Sequence, residues 1–445
     1  MKTNFKKIIA LIALIAFTSA GVFSKAKAKS KNKLVIYSFT DEVPSFVQKY
    51  IKLHPDFPYT PEIKLLPNYD GQYQFNLENV LKNSKDDVPD IYVVDNTFLY
   101  SYTKGDMEKY SLPYINLGID EKVLMNAEIA PYTVDLGTNN DGILKGLTYQ
   151  STAGCFIYRR SLARRVFGTD DPEEVQRIIG GGTGNWDKFL RAARTCADNG
   201  VAILSGIDDL WIAMQCSGVK GWVVDNKLYI SPEREAFLDL AKTFVQNQYT
   251  NMSNSWQNSW FADMKGYGSR PVLGYFGPAW FVSYTLAPNC NFDADGTYGD
   301  WAVCLPPAGF YWGASYIFVN KNVDEKKLEA IKQLIQWMTV DTSEQGLLYN
   351  FANGKESEST SSLDSVPSNI VLSKSNGKCK VLQNQNMFDY FKQANNITRA
   401  KTFSAYDEVI NYIWLEEVLL YANGCKTREG AISDFKQRVS TAFGL

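Results

Sequence analysis

The side chains able to do chemistry here are mostly carboxylates, amides and indoles, and their positions are informative. Asp41 and Glu42 follow one apolar run, and Asp95 and Asn96 follow another. Eight of the ten tryptophans (186, 211, 222, 256, 260, 280, 301 and 312) lie between Trp186 and Trp312. Three fall in Gly274–Asn320, which reads GYFGPAWF, then GDWAVCLPP, then FYWGASYIFVN, so that Trp280, Trp301 and Trp312 stand beside Gly, Pro or Ala. Small neighbours let a ligand approach the backbone, and an indole offers a flat apolar face with one N–H donor. A sugar ring presents matching surfaces, a face of C–H groups and an edge of hydroxyls. Carboxylates are the stronger acceptors for such hydroxyls, because hydrogen bonds to charged groups are worth more than neutral ones. Each feature also has a packing alternative. Indoles fill cores, and Trp301, between Asp300 and an Ala-Val-Cys-Leu run, reads as packing. Polar residues after a strand cap the next helix.

Several other chemistries are disfavoured. The single histidine, His54, sits beside Pro55 in a polar stretch, which leaves little room for Ser-His-Asp, Cys-His or His-ligated metal sites. Ser101-Tyr-Thr-Lys104 matches SxxK without the companion SDN and KTG elements, and no GxSxG elbow occurs. Asp293-Ala-Asp295-Gly-Thr-Tyr-Gly-Asp300 lacks the third early ligand and the terminal Glu of an EF-hand. The glycine run 180–184 lacks the Lys-Ser/Thr or strand–GxGxxG–helix context of a phosphate loop and reads as a flexible connector. No cofactor and no metal is expected. Paired carboxylates acting on a glycosidic bond stay open, since their separation is invisible in a sequence.

The elements that must position these groups begin after residue 28. Lys2, Lys6 and Lys7, the apolar run Ile8–Phe17 and the small residues Ala20, Ala26 and Ala28 read as a secretory signal peptide, too short in its apolar part to span a bilayer. No cysteine precedes Cys155, so no lipid-attachment cysteine is expected and the product reads as soluble and released. The whole chain balances 46 Lys and Arg against 48 Asp and Glu. Residues 1–28 hold five lysines and no acid, which leaves an acidic product without a basic block, a poor binder of nucleic acid. The seven cysteines show no CxxC, and the closest pairs in sequence are Cys290–Cys304 and Cys196–Cys216. An exported compartment permits disulfides, but the odd count leaves one thiol over.

Apolar runs at 33–39, 62–66 and 90–94, alternating with helical patterns at 42–53 and 73–82, give the rhythm of an α/β fold with a mainly parallel sheet. In such sheets ligands meet the carboxyl ends of the strands, where Asp41, Glu42, Asp95 and Asn96 fall. Residues 147–158 read as strand. Amphipathic patterns predict helices at 232–246, 322–338, 406–422 and 429–439, the second opening on an Asn322/Glu325 capping box.

In this order the pieces resemble the extracellular solute-binding proteins of bacterial ABC sugar importers, the maltose-binding-protein-like class known as family 1. The resemblance rests on LVIYSFTDE (34–42), VPDIYVVDN (88–96), LTYQSTAGCFIYRRSL (147–162), NWDKF (185–189), GYFGPAWF (274–281), YWGASYIFVN (311–320) and ANGCKTREGAISDFKQRV (422–439). It implies a two-lobed periplasmic-binding-protein fold of type II, with hinge crossings between the lobes. One α/β lobe would comprise 29–149 plus 315–365, the other 150–314 plus 366–445. The ligand would be clamped by hinge closure, without chemistry. Carried over residue by residue, Asp41, Glu42, Asp95 and Asn96 would bond sugar hydroxyls. Trp280 and Trp312 would stack, and Gly313 would admit the ligand to the backbone. Trp211, Trp256 and Trp260 are further stacking candidates, and Tyr406 and Asp407 stand where the last segment reaches the cleft. The implied partners are a carbohydrate and the membrane permease of an ABC importer. The implied state is a monomer in a periplasmic or extracellular space. An exported carbohydrate-active enzyme and a binding protein for a peptide or polyamine are the alternatives. One departure stands out: Ala314 occupies a place where many relatives carry a second glycine.

Overall fold

Apolar runs in this sequence become buried strands. The computed structural model describes residues 32–67, 71–84, 87–215, 220–293, 296–355, 363–401, 404 and 406–445. The expected signal peptide, Cys216, Asp295 and the middle of the Ser-rich stretch 355–368 lie outside these residues. Among them are eleven strands: β1 (Lys33–Ser38), β2 (Thr60–Leu65), β3 (Ile91–Asp95), β4 (Gly146–Thr148), β5 (Cys155–Arg159), β6 (Ala202–Leu204), β7 (Val223–Val224), β8 (Lys227–Leu228), β9 (Val272–Gly277), β10 (Trp301–Cys304) and β11 (Ser315–Val319). One sheet has the order β2-β1-β3-β11-β4 and a second the order β10-β5-β9-β6, while β7 and β8 pair with each other. Leu34–Leu445 forms one compact unit that contains all three sheets.

The pairing is mixed, where the strand pattern predicted mainly parallel sheets. β1 and β3 are parallel, as are β6 and β9. β11 runs antiparallel to both β3 and β4, and β5 runs antiparallel to both β9 and β10. Parallel neighbours need a helical crossover that returns the chain to the same end of the sheet. β5 and β11 arrive instead on direct crossings from the other sheet, so nothing imposes the parallel sense. The stretch expected as one strand over 147–158 is accordingly broken into β4, a crossing at 149–154, and β5. The two crossings run side by side: Gly154 N–H donates to Phe310 O (2.9 Å), Ala153 bridges Tyr311, and Trp312 N–H donates to Thr152 O (3.0 Å).

Helices cover the sheets. Glu42–Leu53, Gln72–Asn83, Pro232–Gln246, Asp407–Ala422 and Arg428–Phe443 match the amphipathic patterns closely. The helix expected over 322–338 spans Glu325–Thr339, and its cap is Asp324, whose carboxylate accepts from Lys326 N–H at 3.0 Å. Asn322 lies two residues too early, its own N–H held by the Asn320 side chain at 2.9 Å. The glycine run is packed rather than flexible. Gly182 and Gly184 donate to the carbonyls of Pro306 and Pro307, both at 2.8 Å, and a Cβ on Gly181 would lie 2.5 Å from Leu305 O. The six described cysteines are free thiols, Cys290 and Cys304 among them.

Candidate functional site

The end of β3 and the return crossing into β11 meet in register. Ser315 pairs with Asp95, and Asn96 N–H donates to Ala314 O at 2.9 Å. That places the polar pair Asp95-Asn96 directly beside Trp312-Gly313-Ala314. A cavity of about 440 Å³ opens there. Asp95 to Ser101 form one wall and Tyr311 to Gly313 the floor, while Gln215, Lys401, Ser404 and the helix residues Asp407, Glu408 and Asn411 close the far side. Five residues singled out from sequence, Asp95, Asn96, Trp312, Gly313 and Asp407, thus line one cavity.

Its polar groups are held with bonding capacity to spare. Asp95 accepts from Thr97 N–H through Oδ1 at 2.8 Å, capping the short turn that follows β3. Asn96 Oδ1 is buried without a hydrogen-bond partner. Asp407 takes the Ser404 N–H (3.0 Å) and hydroxyl (2.6 Å) on Oδ1, while Oδ2 faces Lys401 Nζ at 3.9 Å. Glu408 lines the cavity and is exposed. The surrounding walls raise its carboxyl above the usual range, and the charge of Asp95 adds to the shift.

The indoles sort into two groups. Trp280 stands 5.0 Å from Trp312 between ring centroids and donates its N–H to Trp312 O at 3.2 Å. Trp256 is half exposed, lies nearly parallel to Trp280 at 6.4 Å, and is 5.9 Å from Trp312. These three form a continuous aromatic wall that ends in the cavity at Trp312. Trp211 and Trp260 do not belong to it. Trp211 is 3 % exposed and packs on Phe237, and Trp260 is 0 % exposed. Trp301 is core as well. A short sequence does not separate these cases: Trp256 stands before the helix Asn258–Lys265 with φ +67° and stays half exposed, while Trp260 lies within that helix and turns into the core.

Three other candidates lie away from the lining. Asp41 is exposed at the start of helix Glu42–Leu53 and its side chain makes no cap bond. The Glu42 carboxylate turns inward to accept from Tyr149 Oη at 2.7 Å on the first crossing; burial raises its pKa, and the Tyr149 bond opposes the shift. Tyr406 packs on Phe443 in a tilted pair at 4.8 Å and does not line the cavity. The lining residues that sequence reasoning missed, notably Gln215, Lys401, Glu408 and Asn411, come from loops and helix faces with no motif. The one available signal was the adjacency of Glu408 to Asp407.

The family model for bacterial extracellular solute-binding proteins matches residues 38–345. The chain belongs to this family. No curated protein matches the chain. Solved structures do. One described as an extracellular solute-binding protein of family 1 superposes with a TM-score of 0.74 at 18% identity, covering 92% of this chain and 99% of the other. The galacto-N-biose/lacto-N-biose I-binding protein of an ABC transporter from Bifidobacterium longum gives 0.62 at 18% identity, with coverage of 93% and 98%. The sugar-binding protein MalE of Xanthomonas citri gives 0.65 at 15% identity, with coverage of 92% and 97%. The fold is the two-lobed type II periplasmic-binding-protein fold.

In this solute-binding protein Trp260, which packs behind Trp256 at 5.3 Å, stands among buried acids. Asp209 accepts from Gly206 N–H (2.9 Å) and Trp260 Nε1–H (3.0 Å). Asp263 accepts from the hydroxyls of Ser205 (2.5 Å) and Ser253 (2.7 Å) and from Asn251 Nδ2 (2.7 Å). Burial pushes the Asp209 carboxyl up to about 7, the two hydrogen bonds oppose the shift, and the charges of Asp208 and Asp263 add to it. The unfolded chain loses this proton near pH ~4. Between pH ~4 and ~7 folding therefore takes up a proton, and each rise in pH opposes folding until the effect levels off above ~7. The thermal midpoint of the wild-type protein should carry this decline, and Asp209→Asn should flatten it. A variant with the wild-type slope would remove Asp209 from the linkage.

The floor of the cavity is strained. Gly313 has φ +83° and Ala314 φ +127°, both in territory that favours glycine. A Cβ on Gly313 would meet only Trp280 Nε1, at 3.9 Å, so the conformation and not the space demands glycine there. Ala314 carries strain that a glycine would avoid, worth about 1–3 kcal/mol in such regions. Glycine would give back about 0.5–1 kcal/mol through the freer unfolded chain. Ala314→Gly should therefore leave the protein equally stable or more stable by about 1 kcal/mol, and Gly313→Ala should cost about 1–2 kcal/mol. Urea unfolding of the two variants checks both signs.

Proposed function

We propose that this protein binds a sugar or short oligosaccharide between its two lobes and delivers it to the membrane permease of an ABC importer. The carrying observation is the cavity at the join of the sheets. It sets Trp312, the end of an aromatic wall, beside Asp95 and Asn96, whose acceptors have capacity to spare. An indole face takes the C–H surface of a ring, and the carboxylate and amide take its hydroxyls. Micromolar affinity needs about −8 kcal/mol, within reach of several charge-assisted bonds at about 1.5–3 kcal/mol each plus one stacked ring. The ligands named for similar structures, lacto-N-biose among them, support this class.

The lobes in this reading are 29–149 with 315–365, and 150–314 with 366–445. They close about the paired crossings. The protein works as an exported, soluble monomer, with residues 1–28 removed, and acts by binding rather than by bond cleavage. Calorimetry of the mature chain against a panel of neutral and amino mono- and disaccharides, with chromatography of each ligand afterwards, tests the proposal. Stoichiometric binding with intact ligand is expected. Release of cleaved sugar would replace it with a hydrolase, and binding confined to non-sugar cations would replace it with a polyamine or peptide carrier.

A further inference from the structure

The charges around the cavity do not balance. Asp95 comes from the end of β3, and Asp407 and Glu408 from the start of helix Asp407–Ala422; one cation, Lys401, lines the cavity with them. Lys401 faces Asp407, and both residues are buried. That leaves Asp95 and Glu408. Among the described residues neither has a lysine or arginine within ion-pair distance. Asp95 stands close enough to Glu408 across the cavity that its charge, after burial, works against ionisation of Glu408. Asp407 Oδ2, buried and lining the same space, has no hydrogen-bond partner. Trp312 adds a π face, which attracts cations and not anions.

A neutral sugar answers this arrangement only in part. Its hydroxyls can donate to each carboxylate, but two like charges lining one cavity still repel. An ammonium group between them donates up to three hydrogen bonds and removes the repulsion as well. A uronic or sialic acid would add a further negative charge. Resting on the sugar-binding reading above, we propose that the natural ligand is an amino sugar, or an oligosaccharide containing one, whose free ammonium sits between Asp95 and Glu408 over the face of Trp312. The lobes then approach only around a ligand that supplies positive charge, which makes Asp95 and Glu408 the determinants of specificity.

The test compares ligands that differ only by hydroxyl or ammonium: glucose with glucosamine, galactose with galactosamine, and cellobiose with the β-1,4 glucosamine disaccharide. Galacturonic acid serves as the anionic probe and 1,4-diaminobutane as a cation without a ring. Calorimetry on the mature protein should show at least one amino member binding tenfold or more tightly than its hydroxyl partner, with no binding of galacturonic acid. In Glu408→Gln that ratio should fall toward one, while circular dichroism and thermal unfolding confirm the fold. Hydroxyl partners binding as well as or better than every amine would overturn the inference and leave the sugar reading in place. Binding of 1,4-diaminobutane as tightly as the best amino sugar, or no binding by any sugar in the set, would overturn both. An amine preference that persists unchanged in folded Glu408→Gln and Asp95→Asn would overturn the assignment to these carboxylates.

Discussion

Trp312→Ala is expected to weaken sugar binding at least tenfold, a loss of about 1.4 kcal/mol. Trp312 is the indole that both lines the cavity and ends the aromatic wall. Removing it takes away one stacking face, worth about 0.5–1.5 kcal/mol beyond the apolar area it covers. It also removes the ring against which Trp280 is set. The backbone carbonyl that accepts from Trp280 Nε1 stays, so the loop keeps part of its fixing. The ring is partly buried and touches both hydrophobic cores, so truncation also costs stability. A fully buried Trp costs about 3–5 kcal/mol, and a partly exposed one should cost about 2 kcal/mol, which a domain of ordinary stability survives. Trp312→Phe should recover part of the affinity, because it restores a flat face without the N–H. Trp280→Ala should act more weakly, since that ring supports Trp312 and lies outside the lining. Calorimetry with parallel urea unfolding separates the effects. Unchanged affinity in a folded Trp312→Ala would return this ring to packing.

The parts of the fold that could be read beforehand are those whose cause is local. Buried strands 33–38 and 91–95 announce themselves by the apolar runs Leu34–Tyr37 and Ile91–Val94, and helices such as Pro232–Gln246 by their stripe. Strand direction was not legible. It depends on whether a chain returns by a helix or crosses between sheets, and the crossings at 149–154 and 310–314 have strand-like composition. The same limit governs the site. Asp95, Asn96, Trp312 and Gly313 could be named because they flank recognisable strands that meet in register. Glu408 and Gln215 could not, because they reach the cavity through helix packing between segments nearly two hundred positions apart. Trp260 shows the converse. Its type suited a ligand, but Asp209, fifty-one positions away in sequence, claims its N–H inside the core.

Gly154→Ala should be the most damaging single-methyl change on the crossings. A Cβ there would lie 1.9, 2.3 and 2.6 Å from three atoms of the Phe310 ring, far inside contact distance. The ring has nowhere to go: it is fully buried and meets Phe276 of β9 edge to face at 5.9 Å. The backbone is tied as well, through the Gly154 N–H to Phe310 O bond and the neighbouring Ala153–Tyr311 bridge. Relief therefore requires the two crossings to part. Overpacking of this kind costs about 1–3 kcal/mol and sometimes more, and the absence of slack argues for at least about 3 kcal/mol here. Trp312 N–H is bonded to Thr152 O on the same ladder, so parting the crossings also moves the floor of the cavity, and affinity should fall with stability. A smaller ring partner offers the decisive control. Phe310→Leu should be destabilising alone, yet the double variant should be less unstable than the two single losses added together, a coupling in the range of about 0.5–3 kcal/mol for residues in contact. Strict additivity in urea unfolding would mean that the chain relaxes elsewhere and that the crossings are not held by this contact.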